Sequence, residues 1–175
     1  MSKKILTLCT LLFALCFSAE AQQTKVYRVG VIHQGGPYNA VVDGLRDGLR
    51  QLGYEEGKQI LLEIRDTKSD LKLVEEAART FERERINLIY AVTTSVVTPV
   101  KNVTSQIPIV FSVGSDPVAS GLVQSFGRPG GRLTGIQYST TDLTGKRLEI
   151  LNEILPKLSR VVTIYNPNNR SALEA

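Results

Sequence analysis

Four short segments hold the residue types best suited to gripping a small molecule: Gln34-Gly35-Gly36-Pro37-Tyr38, Asp66-Thr67-Lys68-Ser69-Asp70, Thr93-Thr94-Ser95 and Ser112-Val113-Gly114-Ser115-Asp116-Pro117. Thr93-Thr94-Ser95 follows an apolar run and opens a helix-forming one. Three hydroxyls beside the amides of a helix N-terminus suit a carboxylate or another small anion, and they equally suit an ordinary N-cap. Asp116 could accept a ligand ammonium, although Asp before Pro is also a common helix start. Hydroxyls and amides on one rim and a carboxylate on another would fit a zwitterion. The paired glycines after Gln34 permit close backbone approach, and Tyr38 offers a stacking face. A flexible surface turn is the plain alternative there.

Signals for chemistry are thin. His33 is the only histidine, and it ends an apolar run with no placed Ser, Cys or second ligand beside it, which favours a structural role. Cys9 and Cys16 both lie near the amino terminus. Neither G-x-G-x-x-G nor G-K-[ST] occurs, so no phosphate cradle is expected. Asp66 and Asp70 could hold a hard cation, but a three-residue gap containing Lys68 argues against it. No catalytic residue, cofactor or metal site is therefore expected. Glu82-Arg83-Glu84-Arg85 reads as a solvated helix end. Gly127-Arg128-Pro129-Gly130-Gly131-Arg132 could attract an anion, yet crossover loops use such residues anyway.

The elements that must carry these segments alternate in period. Val26 to His33, Gln59 to Arg65, Asn87 to Val92, Ile107 to Val113 and Leu133 to Gln137 read as strands. Between them, helices are predicted over Asn39 to Leu52, Leu71 to Glu84, Ser95 to Thr104 and, shorter, Pro117 to Phe126. Asn39 is the expected cap of the first and Gly53 its C′ residue; Ser69 or Asp70 is the expected cap of the second. A helix over Thr144 to Leu155, a strand over Arg160 to Asn166 and the first turns of another helix complete the reading. Such alternation implies an α/β fold, a Rossmann-like parallel sheet flanked by helices. Ligands gather beyond the carboxyl ends of such strands, which is where the four segments fall.

The chain has 175 residues, 42% of them hydrophobic and 22% charged, with a formal net charge of +4. That composition excludes collagen-like, disordered and coiled-coil classes, and the small, scattered excess of positive charge gives no basis for a nucleic-acid partner. Residues 1–21 read as a secretory signal peptide: Lys3 and Lys4, an apolar stretch from Ile5 to Phe17, then Ala19-Glu20-Ala21. Both cysteines fall within it, so the mature chain would have none. Leu15 before Cys16 is a poor match to a lipid-attachment site. The expected location is periplasmic or extracellular.

Asp116-Pro117-Val118-Ala119-Ser120-Gly121-Leu122-Val123, followed by Arg128-Pro129-Gly130-Gly131-Arg132-Leu133-Thr134-Gly135, resembles the DPV-x-x-GLV…PGGNVTG signature of ABC-transporter substrate-binding proteins of the tryptophan- and tyrosine-type family. Gly44-Leu45-Arg46-Asp47-Gly48-Leu49, Ile107-Pro108-Ile109-Val110-Phe111, Gly145-Lys146-Arg147-Leu148-Glu149 and Tyr165-Asn166-Pro167 extend the match over nearly all of residues 26–175. Arg132 stands where the family often has Asn. The resemblance implies a type I periplasmic-binding fold, in which two lobes close over a small solute such as an amino acid and present it to membrane permease and ATPase subunits. Contact with the membrane is then through the permease alone. It implies further that residues 22–140 form the N-terminal ligand-binding lobe and that 141–175 hold the crossover and the incomplete start of the second. Gln34, Thr94, Ser95 and Asp116 are the ligand-binding positions carried over, each at a matching strand end. A periplasmic sensor module of a signalling receptor is the alternative on the same fold. An enzyme on another doubly wound sheet would need a nucleophile–base pair or a phosphate loop, and neither is visible.

Overall fold

A computed structural model describes residues 25–138 and 143–165. The expected signal peptide, residue 166 of the expected last strand and the expected final helical turns lie outside the described residues. The strands are β1 (Tyr27–His33), β2 (Ile60–Asp66), β3 (Leu88–Val92), β4 (Ile109–Val113) and β5 (Leu133–Gln137). The helices are α1 (Asn39–Gln51), α2 (Leu71–Arg83), α3 (Thr94–Val103) and α4 (Thr144–Ile154). All five strands run parallel in the order β2-β1-β3-β4-β5. The order reverses between β1 and β3, so their carboxyl ends flank the switch point where a ligand crevice forms.

Side-chain alternation divides the interior in two. Ile32, Ile89, Ala91, Ile109, Phe111, Val113 and Leu133 pack with Val74, Ala77, Ala78 and Phe81 of α2 and Val96, Val97 and Val100 of α3. The neighbouring residues Val29, Val31 and Leu62 point the other way and pack with Val42, Leu45 and Leu49 of α1, together with Leu88 and Tyr90. Burial on both faces explains the unbroken apolar runs of the central strands.

The helix ends have local causes. Asp70 caps α2, its side chain accepting from Lys72 N at 2.8 Å. Gly53 follows the end of α1 with φ 84°, where its N–H donates to Arg50 O at 3.0 Å. Asn39 is not the cap of α1: a 3-10 turn over Gly36–Tyr38 runs directly into the helix, Tyr38 takes the cap position without a side-chain bond, and Asn39 lies in the first turn.

Two predicted elements are absent. Residues 117–126 form turns rather than a helix. Ser120 N reaches Asp116 O at 2.9 Å and Leu122 N reaches Pro117 O at 2.8 Å, but Gly121 at φ 66° ends the series after one turn. Residues 160–165 are exposed and form no strand, with Val162 at 87% and Ile164 at 96% exposure. They pair with no strand among the described residues, and an unpaired extended segment gains no ladder bonds. No helix among the described residues is long and apolar enough to cross a membrane.

Candidate functional site

The carboxyl ends of β1, β3, β4 and β5 bring Gln34, Thr93 to Ser95, Ser112 to Asp116 and Tyr138 to one edge of the sheet. Thr93 is the pivot. It is buried, with φ 81° and ψ 149°, a backbone region almost confined to glycine. A β-branched residue held there stores about 1–3 kcal/mol of strain and persists only where its surroundings over-determine it. Here they do: Thr93 N donates to Ser112 O at 2.8 Å, its carbonyl accepts from Val96 N and Val97 N at 3.1 and 3.0 Å, and its hydroxyl donates to Gln34 Oε1 at 3.3 Å. The hydroxyl therefore joins β3 to β1 instead of capping α3, which has no side-chain cap.

Thr94 and Ser115 carry the second link. Both are buried, at 1% and 0% exposure, and their hydroxyls share a short hydrogen bond between the β3 and β4 ends. Ser115 Oγ lies 3.4 Å from Ser120 Oγ, extending the hydroxyl chain outward. Ser95 is half-buried in the first turn of α3, where the helix dipole favours negative charge. Asp116 is half-buried, and its Oδ1 accepts from Val118 N at 2.7 Å and Ala119 N at 3.1 Å, holding its own turn in place.

All four anticipated positions, Gln34, Thr94, Ser95 and Asp116, thus lie on one edge, and hydrogen bonds tie Gln34 to Thr93 and Thr94 to Ser115. Ser115, Ser120 and Tyr138 were missing from that set. The strand-end rule that singled out the other loops applies equally to β5 and would have reached Tyr138.

The remaining segments serve structure. His33 is 2% exposed; its Nδ1 accepts from Gly35 N at 3.1 Å and its carbonyl accepts from Thr67 N and Thr67 Oγ1 at 2.9 and 3.0 Å. Gly35 has φ 73°, and a Cβ there would stand 2.5 Å from Asp66 Oδ1. Asp66 itself accepts from Lys68 N at 2.9 Å. No group of three or more His, Cys, Asp or Glu among the described residues could hold a metal ion. The charged end of α2 is more than a solvated face. Glu84 pairs with Arg28 at 2.7 Å, and Glu82 Oε1 accepts from Ser105 N, Ser105 Oγ and Gln106 N. Arg132 donates to protein carbonyls and a hydroxyl. A cavity of about 420 Å³ lined by Arg46, Leu49, Tyr54, Glu56 and Ile60 lies at the opposite pole, and there Arg46 is already paired with Glu56 at 3.0 Å.

Tyr138 sits just beyond β5, its N–H bonded to Val113 O at 3.0 Å. Partial burial, and then the nearby Tyr38 and Tyr90 phenols, push its hydroxyl up to about 12. The unfolded chain releases this proton near the ordinary value of 10 while the folded chain keeps it. The contribution to stability is thus fully present below pH 10 and is lost as pH rises toward 12. An alkaline ultraviolet titration is expected to show one late phenol transition in the native protein, missing from Tyr138→Phe; identical curves would refute the assignment.

A parallel, doubly wound lobe with this strand order is the architecture of one lobe of the type I periplasmic-binding fold. The chain belongs to the ABC transporter substrate-binding protein family, whose model matches residues 28–175. That family binds solutes and works outside the cytoplasm. A curated relative, a tyrosine-binding protein from Clostridioides difficile (strain R20291), is 32% identical over 124 residues, covering 70% of this chain and 35% of that protein. A conserved domain protein from Vibrio cholerae superimposes with a TM-score of 0.77 at 31% identity, over 85% of this chain and 50% of that one. An ABC domain from Streptococcus pneumoniae solved with L-Trp superimposes with a TM-score of 0.60 at 22% identity, over 65% of this chain and 39% of the other, a likeness of fold alone. The chain therefore spans between about a third and a half of these proteins' lengths.

Proposed function

We propose that this chain is the solute-binding component of an ABC importer, exported by a signal peptide over residues 1–21, which binds an amino acid and delivers it to permease and ATPase subunits. Gln34, Thr94 and Ser95 take the carboxylate end of the solute, and Asp116 supplies negative charge to its ammonium. Residues 22–140 form the receiving lobe, and 141–175 lead toward a second lobe that closes on the solute from the opposite side. Ligand then shifts the population toward the closed form, because only that form contacts it from both lobes. The tyrosine-binding relative supports an amino acid as the solute.

The observation that carries this reading is the strained Thr93-Thr94 turn, wired to Gln34 on one side and Ser115 on the other. Strain of that kind in a buried turn facing the ligand edge is what a pre-organised binding rim requires. Isothermal titration of the full-length secreted protein against each proteinogenic amino acid is expected to give saturable heat for a subset of them. Thr94→Val keeps the side-chain shape and removes the hydroxyl, so affinity is expected to fall about tenfold, the equivalent of one hydrogen bond. Thr94→Ser is expected to restore most of it. Silence across every amino acid would refute the proposal.

A further inference from the structure

Thr93 holds a backbone conformation, φ 81° and ψ 149°, that glycine would adopt without strain. What threonine adds over glycine is a methyl group and a hydroxyl. The hydroxyl's partner is the Gln34 side chain, with Thr93 Oγ1 donating to Oε1 at 3.3 Å. Thr93 is 4% exposed, so water is poorly placed to replace that bond. The bond does not serve α3, which has no side-chain cap at this position. A strained residue whose side chain reaches across to another strand's loop points to a role for that side chain.

Gln34 is mounted between fixed neighbours, so its side chain is what remains to be oriented. On one side His33 is buried, and its carbonyl accepts from Thr67 N at 2.9 Å and Thr67 Oγ1 at 3.0 Å. On the other, Gly35 N donates to His33 Nδ1 at 3.1 Å, and the approach of Asp66 leaves no room for a Cβ at Gly35. A carboxamide has an acceptor oxygen and a donor nitrogen, which exchange places on a half-turn of the last side-chain torsion. A hydroxyl donated to Oε1 selects one of these orientations. Oε1 turns toward Thr93, and the Nε2 donors turn away from it, toward whatever else meets this half-buried side chain.

We propose that Thr93 is a positioning residue: its hydroxyl locks the Gln34 carboxamide with the donor end toward the solute, and so makes this edge select a carboxylate over a carboxamide. This rests on the amino-acid reading above, in which Gln34 takes the carboxylate, and adds the residue that gives Gln34 its polarity. A carboxylate accepts from the Nε2 donors through either oxygen. A primary carboxamide in the same place sets its own N–H groups against them, and donors left facing donors are strongly disfavoured. Without the Thr93 hydroxyl the Gln34 amide can turn over and accept from the carboxamide, so discrimination falls. Holding a side chain in place before binding also removes an ordering cost, so loss of the hydroxyl weakens carboxylate binding about two- to tenfold.

The probes are the proteinogenic amino acids and, for the one bound most tightly, its α-carboxamide, each titrated calorimetrically into the full-length protein. Thr93→Val keeps the branched shape and Thr93→Gly suits the backbone; both remove the hydroxyl. Each is expected to weaken amino-acid binding about two- to tenfold and to lower the ratio of amino-acid to carboxamide affinity by about as much. Thr93→Ser, which keeps the hydroxyl, is expected to retain most of that ratio. In a Gln34→Ala background, Thr93→Val is expected to change affinity by less than about twofold, because the group it positions is gone. Circular dichroism checks folding, and Thr93→Gly stands in if the valine variant does not fold. An unmoved ratio, or the same loss with and without Gln34, would show Thr93 to be structural only and overturn this inference alone. Failure of the unaltered protein to bind any amino acid would overturn the amino-acid reading and this inference with it.

Discussion

Gly135→Ala is expected to destabilise the fold by about 3 kcal/mol, seen as a lower midpoint in chemical denaturation. A Cβ at this position would stand 2.1 Å from the Phe111 carbonyl oxygen and 2.5 and 2.6 Å from Phe111 ring carbons. The ring could rotate away at some cost, but the carbonyl oxygen belongs to the strand that Gly135 pairs with in register. Relief therefore requires β5, an edge strand, to peel from β4. Such a loss is a large share of the roughly 5–15 kcal/mol that holds a domain together. Tyr138 follows β5 directly, and its bond from N–H to Val113 O would be lost with the strand. Gly131→Ala is the control: a Cβ there meets nothing within 4 Å, so a change under about 0.5 kcal/mol is expected. Equal effects at the two glycines would contradict the packing account.

Arg132→Ala is expected to cost about 3 kcal/mol. The half-buried guanidinium donates to Lys101 O at 2.8 Å, Thr104 O at 2.7 Å, Ile107 O at 2.8 Å and Thr104 Oγ1 at 2.9 Å. Three of these acceptors are backbone carbonyls at the end of α3 and the entry to β4, where helix geometry leaves carbonyls without partners. Burial presses the pKa of Arg132 down, and the Glu82 carboxylate pulls it back up. Burial likewise pushes Glu82 up, but its bonds from Ser105 and Gln106 and the charge of Arg132 outweigh this and hold it below the ordinary carboxylate value. Alanine strips the carbonyls of charged donors worth about 1.5–3 kcal/mol apiece before water partly replaces them. Arg132→Lys keeps the charge but loses the planar fork, so about half the loss is expected. A lysine variant as stable as the parent would show that charge alone suffices.

Most of the secondary structure was legible before any coordinates. β5 and the starts of α1, α2 and α4 fall where the periodicity places them, and the other strand and helix bounds among these elements shift by only one or two residues. These segments carry a clear hydrophobic period bounded by turn residues, so their own residues suffice even though only α2 has a side-chain N-cap among the described helices. The misplaced elements depended on something distant. Residues 117–126 contain the helix-start pattern of Asp116-Pro117, but Gly121 stops the helix and its carbonyl is taken by Lys101 from α3. Residues 160–165 have strand composition but pair with no strand among the described residues. Glu82 reads as a solvated charge, and Arg132 as a crossover-loop residue that could attract an anion, because no local pattern shows that a loop 20 or more residues away will present carbonyls and amides to them.

Family, parallel α/β order and the identity of the loops at the carboxyl edge of the sheet follow from the chain's residues alone, because hydrophobic period, turn chemistry and the DPV…PGG pattern are local properties. Tertiary structure alone decided which hydroxyls meet. The Thr94–Ser115 bond and the Thr93–Gln34 bond join positions brought together only by strand order and register. Those contacts arise when parallel strands from separate parts of the chain align their ends, and no local spacing encodes that alignment.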